Sequence, residues 1–310
     1  MTGLMPPEAV WLDRAGRRPS VMIDHPGWWL DGEGRWRRLL RAPGAVWLAV
    51  ATPHPDGGRE IVLELVEGQP ATEPEFDIVD PAALPDTGSG LRAALLAAGP
   101  VARIRTGDLW EALVGAILRC TIAPEQAREL YRKASRGLGH GHDTAFGRDW
   151  RFPTPAVVVQ LAPDVFDSYG LGEVRDRLRT AAWVVRAIKA GWHTVPWDSL
   201  AAILAPVPRL GSAITGAAIA DLSGDFRFLP PDDVLVMSRV RAVDPASWPE
   251  AAAAFGTRWL AMVGTERSAW TVLALAADTR HWPPYRGWPR PTGASPQPDS
   301  DDTRKGAEAR

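Results

Sequence analysis

The chain has 310 residues, of which 45% are apolar and 23% charged, with a formal net charge of −2, the make-up of an ordinary water-soluble protein with room for two or three domains. No apolar run reaches the roughly 18 residues that span a bilayer, and the first twenty residues lack the basic start and apolar stretch of a signal peptide, so no membrane partner and a cytoplasmic location are expected. A single cysteine, Cys120, excludes an intrachain disulfide, a four-cysteine zinc site and a four-thiolate iron–sulfur cluster, and the three lysines, Lys133, Lys189 and Lys305, restrict amine chemistry to few positions.

Residues 1–88 carry short runs of strand-forming residues, AVWLD, SVMID, AVWLAVA and REIVLELV, separated by turn signals such as HPDGG. They predict a small antiparallel sheet, with one helix through GRWRRLLRA. Residues 60–90 hold eight acidic side chains and no basic one, and within them EGQPATEPEFDIVDPAALPDTGSG, rich in proline and acid, reads as a connection between domains, with a boundary near residue 88. From residue 89 to 279 the apolar period becomes that of helices. TGDLWEALVGAILRC places Leu109, Leu113, Ala116, Ile117 and Cys120 on one face behind a Thr106/Asp108 cap, and Pro124 opens a helix that stops at glycine. Further helices are predicted at 155–162, 172–190, 197–204, 212–222, 233–241, 247–255 and 265–277. Residues 101–220 carry 15 basic against 11 acidic side chains, so the middle of the chain can face phosphate. Residues 280–310 have the composition of a disordered tail.

Two features of the helical part stand out. In LAPVPRLGSAITGAAIADL a helix ends at a proline-containing turn and another begins at once after Gly211, which leaves unpaired amides at a helix N-terminus, suited to a phosphate oxygen. In FLPPDDVLV, Asp232 and Asp233 stand where a new helix begins, 22 positions after Gly211 for the second. Either can serve simply as a helix cap, since aspartate is favoured there and the helix dipole rewards it.

LWEALVGAILRC, GLGEVRDRLRTAAWVVRAI, VPRLGSAITGAAIADL, FLPPDDVLV and ERSAWTVLAL occur in the order found in the helix-hairpin-helix DNA glycosylases. The resemblance is above all to the bacterial inducible 3-methyladenine glycosylases and covers about residues 95–278. It implies an α+β chain in which a small antiparallel β-rich domain precedes a two-lobed helical domain with the cleft between its lobes. It also implies a monomer that needs no cofactor or metal, and whose partner is double-stranded DNA containing a damaged base. Carried over by position, Asp233 would be the catalytic carboxylate of base excision repair, hydrolysing the N-glycosidic bond of an alkylated or damaged purine. Pro208, Arg209, Leu210, Gly211 and Ala213 would meet the DNA backbone. Arg209 replaces a glycine of the family pattern, and Ala213 stands where bifunctional members carry a lysine, so a monofunctional enzyme is implied.

An ionised carboxylate suits this chemistry, because positive charge develops on the sugar as the base leaves a flipped-out nucleotide. The family's duplex-probing loop aligns with Arg119–Ile122, making Arg119 and Ile122 candidates for the wedge. Trp110, Trp183 and Trp270 are candidates for stacking on a base. Cys120 reads as a small buried residue. His140 and His142 have metal-compatible spacing but no third ligand nearby in sequence. The competing expectations are a hairpin module that binds DNA without cleaving it, and a relative that has lost DNA binding.

Overall fold

The computed structural model describes residues 18–55, 57–69 and 72–276. The AVWLD run and the 280–310 tail lie outside these. The N-terminal part is built from β1 (Ser20–Val21), β2 (Trp29–Leu30), β3 (Trp36–Ala42), β4 (Ala45–Pro53), β5 (Arg59–Gly68) and β6 (Phe76–Val79), followed by α1 (Gly90–Ala98) and β7 (Val101–Ile104). Strands β2-β3-β4-β5 form an antiparallel meander, and β1-β7-β6 a second, mixed sheet in which β1 and β7 run parallel. The stretch read as a connection thus contains β6, and the sheet is completed by β7, beyond residue 88. Strand β4 is buried on both faces, Trp47, Ala49 and Ala51 packing with Val21, Trp28 and Ile104, and Leu48 and Val50 packing with Leu39.

The helix expected through GRWRRLLRA is instead strand β3, paired with β4 along its whole length. Two of its arginines, Arg37 and Arg38, are buried. The Arg37 guanidinium lies 4.0 Å over the Trp29 ring, and Arg38 donates to Thr106 Oγ1 at 2.8 Å. Partners far along the chain override the local pattern.

The helical part comprises α2 (Leu109–Thr121), α3 (Pro124–Leu138), α4 (Pro155–Gln160), α5 (Pro163–Ser168), α6 (Arg175–Ile188), α7 (Trp197–Leu204), α8 (Gly211–Ser223), α9 (Val234–Val243), α10 (Ala252–Val263) and α11 (Arg267–Ala276). It is not all helix: β8 (His140–Thr144) and β9 (Gly147–Arg151) form a hairpin between α3 and α4. The helix expected at 247–255 lies at 252–263, because Asp244 accepts the Ser247 amide in a turn that Pro249 follows.

Local signals set several ends. Asp108 accepts the Glu111 amide at 3.0 Å and caps α2, Pro124 opens α3, and Gly139 ends it. Thr106 does not cap: it donates to Asp221 Oδ2 at 3.1 Å and ties the β-rich part to α8. Helix α2 is buried on every side from Leu109 to Arg119 and serves as the central post of the molecule. Helix α8 lies against it and also passes close to the segment that precedes α9. A Cβ at Gly216 would stand 2.2 Å from the Phe228 carbonyl oxygen, so this close approach needs glycine. The Arg267 side chain donates to the Leu229 carbonyl, and Ser268 Oγ accepts the Phe226 amide at 2.9 Å, so α11 holds the same segment from its other side.

One buried cluster makes stability depend on pH. The Tyr131 hydroxyl donates to Glu111 Oε2 at 2.6 Å, and His25 Nε2 lies 3.1 Å from the Glu111 carbonyl oxygen. Burial, with Asp108 adding to it, pushes the Glu111 carboxyl up to about 7. The folded state therefore holds this proton where the unfolded chain releases it near 4.5, so the contribution is full below that value and is lost as pH rises to 7. Glu111→Gln should remove a fall on the order of 3 kcal/mol in unfolding free energy across that window. Urea unfolding of both proteins from pH 4.5 to 7.5 checks this, and a difference between them that does not change with pH would contradict it.

Candidate active site

The first turn of α8 and the start of α9 meet at one cavity of about 530 Å³. Its walls are the end of α2 (Arg119–Thr121), the first turn of α8 (Ser212 and Ala213), and the chain from Pro230 to Leu235, with Glu173 at the side. Gly216 is what allows two of these walls to stand so close.

Asp233 caps α9. Its Oδ1 accepts the amides of Leu235 and Val236, both at 3.1 Å, and its own amide donates to the Pro230 carbonyl at 3.1 Å. Oδ1 takes both cap bonds, so Oδ2 is the oxygen free of the helix. Asp232, next to it, is exposed.

Arg119, in the last turn of α2, reaches Asp233 from inside the protein. Its Nη2 lies 4.0 Å from Asp233 Oδ2, and its Nη1 donates to Asp24 Oδ2 at 3.1 Å. All three side chains are at most 10% exposed. Although burial works against its charge, the carboxylates of Asp233 and Asp24 help to raise Arg119 above the usual guanidinium range, so it stays a cation. Burial, followed by the nearby Asp221, pushes Asp24 up from the ordinary carboxylate value, with Arg119 opposing. Asp221 moves the other way: burial opposes its charge, but Arg103, donating to Oδ1 at 2.9 Å, holds it low. Burial pushes Cys120 up as well, which keeps it a thiol rather than a nucleophilic thiolate.

At the turn, Leu210 is buried and anchors the start of α8, whereas Pro208, Arg209, Gly211, Ser212 and Ala213 are exposed. Among the described residues no side chain caps α8, so its first amides are open to an incoming anion. Arg209 has φ 71, a left-handed conformation that disfavours residues with a Cβ by about 1–2 kcal/mol. Its guanidinium is exposed and paired with Asp176. Gly211 has φ 68, and among the described residues a Cβ added there would meet nothing within 4 Å.

Other candidate residues lie elsewhere. Trp110 and Trp270 are core side chains, 4% and 0% exposed, and the Trp110 indole donates to the Pro153 carbonyl. Trp183 is 58% exposed on α6, with Arg186 against its ring, and does not line the cavity. Ile122 is buried against the helical core and does not project as a wedge. Arg119, buried and directed at Asp233, does not project either. The tryptophans are candidates as large rings on helices near the cleft, and Arg119 and Ile122 by alignment with the family's duplex-probing loop, neither of which assigns the side a residue faces.

His140 and His142 gain a third potential ligand from β5: the ligand atoms of Glu67, His140 and His142 lie within 4.8 Å of one another. His142 is nevertheless fully engaged, with Nδ1 2.8 Å from Glu67 and Nε2 accepting from Arg151 at 3.1 Å. The sequence does not single out Asp24, Thr121, Glu173 or Ser212. Asp24 gives no local sign of its role, because it follows a strand-like SVMI run and meets its partner 95 residues away.

No protein-family model matches the sequence, and no curated protein matches it either. Solved structures do match. A 3-methyladenine DNA glycosylase from Archaeoglobus fulgidus superposes with a TM-score of 0.58 over 81% of this chain and 88% of its own, at 15% identity. The Clostridium acetobutylicum 8-oxoguanine glycosylase/lyase, in complex with double-stranded DNA containing cytosine opposite 8-oxoguanine, gives 0.54 over 84% and 89%, at 10% identity. The chain therefore has the fold of the helix-hairpin-helix DNA glycosylases, an antiparallel N-terminal sheet region leading into a mostly helical region. Among the described residues, no helix is long and apolar enough to cross a membrane.

Proposed function

We propose that the protein is a monofunctional DNA glycosylase that hydrolyses the N-glycosidic bond of alkylated or otherwise damaged purines in double-stranded DNA. The observation that carries this reading is the position of Asp233: a carboxylate tied by one oxygen to the start of α9, in the lining of a cavity that also has the open first turn of α8 in its wall. The α8 amides and the turn before them would hold a backbone phosphate, while the flipped nucleotide enters the cavity.

In this reading Asp233 Oδ2 faces the anomeric carbon. As the base departs, positive charge builds on the sugar, and a carboxylate already fixed in place stabilises it without reorganising and orients the attacking water. Among the described lining residues, Glu173, Asp232 and Asp233 set three carboxylates against one cation, Arg119, and there is no aromatic ring. Such a lining favours a purine made cationic by alkylation through charge rather than stacking.

Duplexes carrying a panel of single alkylated and oxidised bases test the proposal. Free base should be released from at least one alkylpurine duplex, and the product strand should stay intact until alkali is added. Cleavage by β-elimination needs an amine to form a Schiff base with the sugar, and no lysine is among the described cavity-lining residues. Borohydride should therefore trap no covalent adduct, and a trapped adduct would overturn the monofunctional reading. Binding to every duplex with no base released from any would favour the non-cleaving module instead.

A further inference from the structure

Arg119 poses a problem that the cavity alone does not solve. Its Nη2 is fully buried and has no hydrogen-bond partner among the described residues, an arrangement that is ordinarily destabilising. The nearest carboxylate, Asp233 Oδ2, stands 4.0 Å away, an ion-pair distance but too long for a hydrogen bond. The guanidinium does not close that gap, and Asp24 accounts for it: Asp24 Oδ2 holds Nη1 at 3.1 Å and draws the group toward the N-terminal sheet region. Asp24 sits between β1 and β2, beside the buried His25 and packed over the end of α2, with the Ile23 carbonyl accepting from Arg128 of α3 at 3.3 Å.

We infer that Asp24 and Arg119 are positioning residues for Asp233: Asp24 restrains the Arg119 guanidinium at a distance where its charge steadies the catalytic carboxylate but its N–H does not occupy Oδ2. The inference rests on the proposed role of Asp233 and deepens it, because it makes the β-rich region a working part of the site rather than a platform. The two oxygens of Asp233 then have separate duties. Oδ1 is fixed by the α9 amides, and Oδ2 feels a cation yet keeps its lone pairs for the sugar and the water. Without the Asp24 carboxylate, Arg119 is free to swing about 1 Å closer and donate to Oδ2, as a buried guanidinium beside a carboxylate does when nothing else holds it. That contact would quench the oxygen the reaction needs.

Asp24→Asn keeps the size of the side chain and removes the charge that restrains Arg119. Single-turnover excision from the best duplex of the panel should fall tenfold or more, while the dissociation constant for a duplex with an uncleavable abasic analogue stays within about twofold, a loss in the chemical step rather than in binding. Combined with Arg119→Gln, the substitution should cost nothing further, because the group that collapses is gone. A merely structural Asp24 would instead lower excision and binding together, by the same factor in both backgrounds, and that result overturns the inference.

A second measurement does not depend on excision. In urea unfolding, Asp233→Asn should reduce the folding constant at least fivefold more in the Asp24→Asn background than in the parent, since only there do Arg119 and Asp233 share a hydrogen bond. Equal effects in the two backgrounds mean that the three residues are not linked and sink the inference even if the parent is an active glycosylase. A parent that releases no base removes the proposed function, while the urea cycle still decides the link.

Discussion

Asp233→Asn should reduce excision of an alkylated base by a hundredfold or more, on the order of 3 kcal/mol of transition-state stabilisation, and leave the protein folded. Asparagine caps helices about as well as aspartate, and its carbonyl oxygen can take the place of Oδ1 in accepting the Leu235 and Val236 amides. What is lost is the charge opposite the developing oxocarbenium ion. Duplex binding should persist or tighten, because a carboxylate repels the phosphates around a flipped nucleotide. Asp232→Asn should have a much smaller effect, since that side chain is exposed and lies outside the α9 cap. Single-turnover base release by the parent and the two variants, with thermal unfolding as a check on folding, is the measurement. Equal rates for parent and Asp233→Asn would reduce the carboxylate to a helix cap.

Gly211→Asp should weaken binding to every duplex alike, about thirtyfold, on the order of 2 kcal/mol. Gly211 opens α8 with φ 68 and nothing within 4 Å of where a Cβ would stand. Aspartate tolerates that conformation better than most residues, so the protein should still fold, but it puts a negative charge where a phosphate would approach. Gly211→Asn, of the same shape without the charge, separates electrostatics from sterics and should weaken binding much less. A salt titration completes the test, since contacts to phosphate make affinity fall steeply with salt, irrespective of base sequence. A folded Gly211→Asp protein that binds as the parent does would remove the α7–α8 turn from the interface.

The parts of the site visible in the sequence are those that local chemistry determines. Proline at a first helical position, glycine at a left-handed turn and aspartate before an apolar run act on amides within three or four residues. The start of α3, the turn into α8 and the cap of α9 could therefore all be read directly, and the order of these pieces placed Asp233 downstream of the turn. Burial was harder to read. Trp110 and Trp270 look like stacking platforms in a linear reading, but α2 and α11 turn them into the core. Arg119 and Ile122 align with a duplex-probing loop, yet both are buried.

The mostly helical second half, the turn at Pro208–Gly211 and the carboxylate that opens α9 are legible in the chain because each depends on hydrogen bonds made within a turn or two. Tertiary structure alone decided that GRWRRLLRA is a strand, since Arg37 and Arg38 are stabilised by Trp29 and Thr106 rather than by water. It also decided that β8 and β9 interrupt the helices and that His142 faces Glu67. The link from Asp24 through Arg119 to Asp233 belongs to the same class. A buried charge is tolerable only beside its partner, and these partners are brought together by the packing of the N-terminal sheet region onto α2, across 95 residues that carry no local trace of the contact.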